Sequence, residues 1–280
     1  SAVDSCGGAE MTIRLVSNEK IAETSSKGNQ EKWLEHGRWY KLDQFGYEAL
    51  AETFTSLLLA RSRLEQDTPF RFTRYQMERL HVHGRDRTGC SSENFLRHGQ
   101  STVTLAHLYR QHLGHSLKEE LEGLSSDKKR ITYLAERTAE ITNLSEFPQY
   151  LTMLFEIDAL VLNDDRHLNN IAVIEQDGRY DYCPFFDQGA GLLSNTQFSP
   201  MDITPEALIR DLRARPFGTS FNRQMHTAQT LYGRQLQIQR FRREELMEML
   251  RPLLEYYAPR DRGLIADRVC AAVLLRQKEL

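Results

Sequence analysis

Residues 161–174 carry an acid, a histidine and an asparagine on what reads as one tight turn, Asp165, His167 and Asn170, and another acid, Asp187, follows in Phe185-Phe-Asp-Gln-Gly189. Carboxylate and amide oxygens in so sparse a set suit a Mg²⁺ ion that keeps part of its water and bridges nucleotide phosphates. A carboxylate beside them can accept the proton of an attacking hydroxyl. The chemistry these groups describe together is phosphoryl transfer, which asks the protein for positioning and charge more than for covalent help. In that division Asp165 is the base, Asn170 and Asp187 hold the metal, and His167 orients the turn through hydrogen bonds.

The flanking elements must place these groups. Residues 171–175 are apolar and β-prone, Asp177-Gly178 favours a type I′ turn, and residues 179–186 alternate through Tyr180, Tyr182 and Phe185. A two-residue turn fixes the register, setting Asn170 opposite Phe185 and bringing Asp187 close to Asn170. Pro184, which cannot donate to a ladder, is a site for a bulge. Upstream, a strongly apolar helix opens at Pro148 and ends at Asn163-Asp-Asp165, so the turn is braced from both sides.

The amino-terminal part reads as short strands at residues 13–16, 30–34 and 38–42, with His36-Gly37 as a hairpin turn. Lys41 sits between aromatics on the third strand, in Trp39-Tyr-Lys-Leu42. The next element, residues 46–59, is helical by the stripe of Leu50, Phe54, Leu57 and Leu58. Glu48, in its first turn, suits the helix dipole and reaches back to Lys41; Glu52, one turn later, is the rival for that ion pair. Residues 23–29 are small and polar. They read as a plain surface loop or as a phosphate cover, in which Ser25, Ser26 and Gly28 offer hydroxyls and N–H groups to anionic oxygens.

Residues 70–83 and 88–90 suggest two more strands around a charged turn at 84–87, followed by a polar crossover over residues 91–95. The boundary between two lobes falls near Phe95, giving residues 1–95 and 96–280 as the units, with Cys90 to Glu93 placed to read an adenine. Beyond Thr102 the pattern is helical: a capping box at Ser116-Leu-Lys-Glu119, then residues 129–142, 205–214, 223–236, 244–257 and 261–278, with Pro252 a kink or a split. His81 and His83 share a strand face while the other histidines fall on separate elements, which disfavours zinc.

At 280 residues, 40% hydrophobic and 27% charged, the chain has ample length for a buried core. A net charge of -3 argues against a broad nucleic-acid or anionic-membrane surface, and no apolar run approaches the ~20 residues of a membrane span. Residues 1–10 lack the basic start and apolar stretch of a signal peptide. Cys6, Cys90, Cys183 and Cys270 show no CxxC spacing, as expected of free thiols in a reducing, cytoplasmic compartment.

Asp165-Arg-His-Leu-Asn-Asn170 with Phe186-Asp-Gln-Gly189 resembles the catalytic and metal-binding motifs of HipA-like serine/threonine kinases, above all their compact CtkA-type relatives; phosphatidylinositol kinases share the Asp-Arg-His-x-x-Asn pattern. Residues 26–33, 39–42 and 46–50 resemble the amino-terminal part of that compact group. The resemblance implies an α+β, bilobal protein-kinase-like fold: a small antiparallel-sheet N-lobe with one helix, and a mainly helical C-lobe. It further implies ATP with Mg²⁺ as cofactors, a protein substrate phosphorylated on serine or threonine, and autophosphorylation at Ser25 or Ser26. Residue by residue it makes Asp165 the base, Asn170 and Asp187 the metal ligands, Lys41 the phosphate lysine and Glu48 its partner. Two departures stand out. Gln188 replaces the phenylalanine of ordinary protein kinases, and the loop around Gly28 has neither a three-glycine nor a Walker pattern.

Two other readings fit the same residues. One keeps the fold and takes a lipid headgroup or small molecule as acceptor. The other is a non-catalytic nucleotide-binding or toxin-type protein held in check by a regulatory partner chain.

Overall fold

The computed structural model describes residues 13–15, as a strand, and residues 31–280. Ser25, Ser26 and Gly28 therefore lie outside the described residues.

Three hairpins build the β part, and each turns on a residue followed by glycine with left-handed backbone at both. They are His36-Gly37 (φ 48° and 75°), His83-Gly84 (50° and 78°) and Asp177-Gly178 (52° and 78°). Paired positive φ values suit the type I′ turn, whose twist matches that of adjoining strands, and glycine takes the second position without a Cβ clash. The first turn joins β2 (Lys32–Glu35) to β3 (Arg38–Leu42); the second joins β4 (Tyr75–Val82) to β5 (Arg85–Glu93). With β1 (Ile13–Leu15) parallel to β4 at one edge, the sheet runs β1-β4-β5-β3-β2, otherwise antiparallel. The charged run 85–87, expected as a turn, belongs to β5: a two-residue turn at His83-Gly84 already reverses the chain.

Helix α1 (Glu48–Ala60) packs on the face of this sheet that carries Lys41. Its first turn is fastened by Asp43, whose Oδ1 accepts the Ala49 N–H at 2.7 Å while its Oδ2 accepts the Tyr257 hydroxyl at 2.8 Å. A short helix, α2 (Leu64–Asp67), leads back to β4. The other sheet face holds a small core of Trp33, Tyr40, Leu42, Leu80 and Val82.

After Glu93 the chain runs without regular structure through residues 94–100 into the second lobe. There β6 (Ser101–Thr104) pairs with β7 (Ala172–Gln176), and β7 with β8 (Arg179–Tyr182). The β7–β8 register is the one a two-residue turn dictates, Gln176 opposite Arg179 and Val173 opposite Tyr182. The helices are α3 (Leu105–Leu113), α4 (Leu117–Glu122), α5 (Asp127–Thr142), α6 (Phe147–Val161), α7 (Pro205–Asp211), α8 (Phe221–Tyr232), α9 (Arg243–Leu254) and α10 (Pro259–Arg276). Ser116 stands before α4 but makes no capping bond, and Pro252 lies within α9, which continues to Leu254. Among the described residues no helix is long and apolar enough to cross a membrane.

Helix α6 is the spine of this lobe, with every residue from Tyr150 to Val161 buried. Its two buried carboxylates, Glu156 and Asp158, are both engaged. Glu156 accepts the N–H groups of Gln235 and Leu236 at 3.1 Å, and Arg276 Nε donates to the Ala159 carbonyl at 2.8 Å. The helix stops at Leu162, whose φ of 58° turns the chain out into the Asp165 loop.

The lobes are laced together in front of α1. Tyr47 donates its hydroxyl to the Leu192 carbonyl at 2.6 Å and its N–H to the Ser194 carbonyl at 3.1 Å, and Thr196 N–H donates to the Phe45 carbonyl at 3.0 Å. Gly46 makes this approach: a Cβ there would stand 1.9 Å from the Ser194 oxygen.

Candidate active site

Lys41, on β3 directly across from Lys32 of β2, places its Nζ 2.7 Å from Glu52 Oε2 and 2.5 Å from Asp187 Oδ1. Glu52 is fully buried, and its other oxygen accepts the N–H of Gln188. One carboxylate on α1 thus grips both the lysine and the turn that bears Asp187. Burial opposes the charge on Lys41, but Asp187 and Glu52 outweigh it and hold its pKa well above the ordinary value. Burial likewise works against ionised Asp187, and Lys41, by charge and hydrogen bond, prevails with help from Lys32 and Arg166, keeping that carboxyl below its usual value. Both groups stay charged at neutral pH.

Glu48 does not fill the role expected of it. Its Oε2 accepts the N–H groups of Gln44 and Phe45 at 2.9 and 3.0 Å, so it satisfies free donors just before its own helix. One turn further along α1, Glu52 is the residue under the sheet and takes the lysine. Cys90 is also displaced from its expected place. It lies within β5 opposite Lys41, fully buried in the main core, and burial followed by the charge of Glu52 pushes its thiol well above the usual range. The strand runs three residues beyond Cys90, so the connection between lobes begins at Asn94; Glu93 is the strand's exposed last residue.

The Asp165 loop is held from beneath. Arg166 and Asp158, 0% and 1% exposed, form a two-pronged ion pair at 2.9 and 3.1 Å, and Arg166 Nη1 also donates to the Asn170 carbonyl at 3.0 Å. Asn163 joins the two halves of the site: its Nδ2 donates to Asp158 Oδ1 and to the Asp187 carbonyl, and its Oδ1 accepts the Asp165 N–H. Above this base Asp165 is about half exposed, and His167 Nε2 stands 2.9 Å from its Oδ1. Asn170 donates Nδ2 to the Asp165 carbonyl at 2.8 Å, while its Oδ1 is buried with no partner among the described residues. Asp164, next door, has its carboxyl raised by burial and by the charge of Asp165.

The structure therefore brings Lys41, Asp165, His167, Asn170 and Asp187 into one site. The hairpin does not deliver Asp187 in the way the register suggests. The ladder ends near Tyr182, and at Pro184 the chain swings to the first lobe, where Phe185 pairs with Phe72 rather than with Asn170. Four participants were not read from sequence: Asp158, Asn163, Arg166 and Lys32. Asp158 had a signal, an acid inside the apolar run from Ile157 to Leu162, where a charge persists only when paired; Arg166, in a polar run, had none.

Architecture and constellation together define a bilobal kinase-like fold. The proinflammatory kinase CtkA of Helicobacter pylori has it, with a TM-score of 0.58 to this chain over 91% of this chain and 89% of that one, at 11% sequence identity. A chain of the HipA–HipB–operator DNA complex of Shewanella oneidensis MR-1 gives a TM-score of 0.46 at 13% identity, over 90% of this chain and 64% of its own length. The likeness to CtkA is one of fold. No protein-family profile matches the chain, and no curated protein sequence matches it.

Proposed function

We propose that this protein is a kinase that uses ATP and Mg²⁺ to phosphorylate serine or threonine of a protein acceptor. The observation that carries the reading is the lysine bridge: Lys41 of the first lobe joined to Glu52 and Asp187, with Asp165 and Asn170 on the loop that Asn163 ties to Asp187. This leaves residues 1–95 to hold nucleotide phosphates and residues 96–280 to hold metal and acceptor.

The donor set fits Mg²⁺. Asn170 Oδ1 is a buried amide oxygen without a partner among the described residues, and Asp187 is an ionised carboxylate; both are hard oxygen ligands, too few to displace all the water of the ion. Once bound, Mg²⁺-ATP supplies a phosphoryl group with its charge partly neutralised. The chain does the rest. Lys41 offers a charge to the phosphates, and Lys32 extends that positive edge. Asp165 takes the proton from the acceptor hydroxyl, with His167 keeping its carboxylate in one orientation.

Calorimetric titration tests the nucleotide half of the proposal. Wild-type protein is expected to bind ATP more tightly with Mg²⁺ than without, and Asp187→Asn is expected to remove most of that metal-dependent gain. Equal binding with and without Mg²⁺ would contradict the ligand assignment. The two glutamates of α1 separate in the same way. Glu52→Gln is expected to raise KM for ATP and lower kcat by about tenfold or more, because it loosens both Lys41 and the Asp187 turn. Glu48→Gln leaves the lysine bridge intact, so KM for ATP is expected to stay near wild type while melting falls by about 1 kcal/mol through the two weakened backbone N–H bonds.

A further inference from the structure

A cavity of about 550 Å³ opens beside Asp165; Lys41, Asn170 and Asp187 do not line it. Its walls bring three carboxylates, Glu48, Asp164 and Asp165, against a single guanidinium, Arg215. Glu48 is only 6% exposed, and after Oε2 has taken two backbone N–H groups its Oε1 is left buried with no partner among the described residues. A buried carboxylate oxygen without a donor is costly, and a donor arriving from outside would relieve it. Burial and the charge of Asp165 raise the Asp164 carboxyl, and Arg215 and His167 offset them only in part. At the rim stands Phe198, 83% exposed, with the half-buried Leu212 also lining the cavity. Apolar surface leading to an acidic interior fits the aliphatic stem and charged head of lysine or arginine.

We infer that this cavity selects the acceptor: a polypeptide segment whose phosphorylated serine or threonine lies within a few residues of a lysine or arginine, the basic head entering between Asp164 and Glu48. The inference rests on the kinase reading and refines it. An anionic acceptor, such as a phosphoinositide headgroup, meets two further carboxylates, Glu48 and Asp164, beside the base and is disfavoured. A peptide with a basic neighbour brings the opposite charge into a half-enclosed site, where such a pair counts for more than on an open surface.

The test uses serine peptides on an alanine background with arginine, alanine or glutamate placed singly from four residues before the serine to four after it. kcat/KM for phosphorylation and, on fluorescently labelled copies, Kd by anisotropy are both measured. At one or two positions arginine is expected to improve both quantities by about tenfold over alanine, with glutamate worse than alanine. Asp164→Asn is expected to bring the arginine-to-alanine ratio down to about 3 or less, and Arg215→Ala, at an exposed position, to raise it. Ratios are independent of how far each variant lowers turnover, and a melting curve checks that both fold. Peptides phosphorylated with no preference beyond twofold at any position would overturn the inference and leave the kinase reading standing. Selective binding of arginine peptides without transfer to any of them would do the reverse. Label passing from ATP to phosphoinositide vesicles and to no peptide would overturn the inference outright.

Discussion

Asp165→Ala is expected to lower phosphoryl transfer to any hydroxyl acceptor by about 10²- to 10⁴-fold, the usual weight of a general base. The same substitution should leave the melting temperature within about 2 °C of wild type, because surface changes away from special features rarely exceed ~0.5 kcal/mol. The structure allows the two effects to separate. The Asp165 side chain is 53% exposed and, among the described residues, pairs with His167, whereas its backbone is fixed by Asn163 and Asn170. The competing base is Asp164. Its carboxyl is raised by burial and by Asp165, so it holds a proton more readily, and it lines the cavity beside Asp165. Transfer measured by quench-flow with excess ATP decides between them: a near-wild-type rate for Asp165→Ala would pass the role to Asp164.

Arg166→Met is expected to cost about 3–5 kcal/mol of stability, the penalty for leaving a buried charge without its partner. Asp158 is 1% exposed, and without the guanidinium its remaining side-chain donor is Asn163 Nδ2 at 3.1 Å. For a chain of this size the loss corresponds to a melting temperature lower by roughly 10 °C. The double variant Asp158→Leu with Arg166→Met should recover part of it, since removing both charges removes the unpaired one. Thermal denaturation of the three proteins measures this directly. A single variant that melts like wild type would mean that the pair does not brace the loop. Transfer should fall with stability, because Arg166 also fixes the Asn170 carbonyl and with it the loop that carries Asp165.

How far the sequence could be read depended on whether the information was local. Asp177-Gly178 and His36-Gly37 specify their own turns, so those hairpins follow from two residues each and their registers come with them. Helix α6 was visible because it is apolar along most of its length, as befits a central helix. Glu48 and Glu52 could not be separated by periodicity, since both lie on one stripe one turn apart. What decided between them was the backbone before the helix: free N–H groups at Gln44 and Phe45 capture Glu48 and leave the lysine to Glu52. The end of β5 was placed too early because Ser91, Ser92 and Glu93 are polar and read as crossover; two of the three are buried serines, one of them hydrogen-bonded to Arg38 and Glu78. The detour at Pro184 was least legible, because pairing of Phe185 with Phe72 is a contact between segments more than a hundred residues apart in sequence.

The most direct test of the account supplies ATP labelled on its γ-phosphate, with Mg²⁺, to wild-type protein and to Asp165→Ala and Asp187→Ala. Three acceptors run side by side: the protein alone, dephosphorylated casein and phosphoinositide vesicles, with products resolved by mass. The account predicts label on serine or threonine of protein in the wild type, and none above background in either variant although both remain folded. No label on any acceptor, or label on lipid alone, would contradict it.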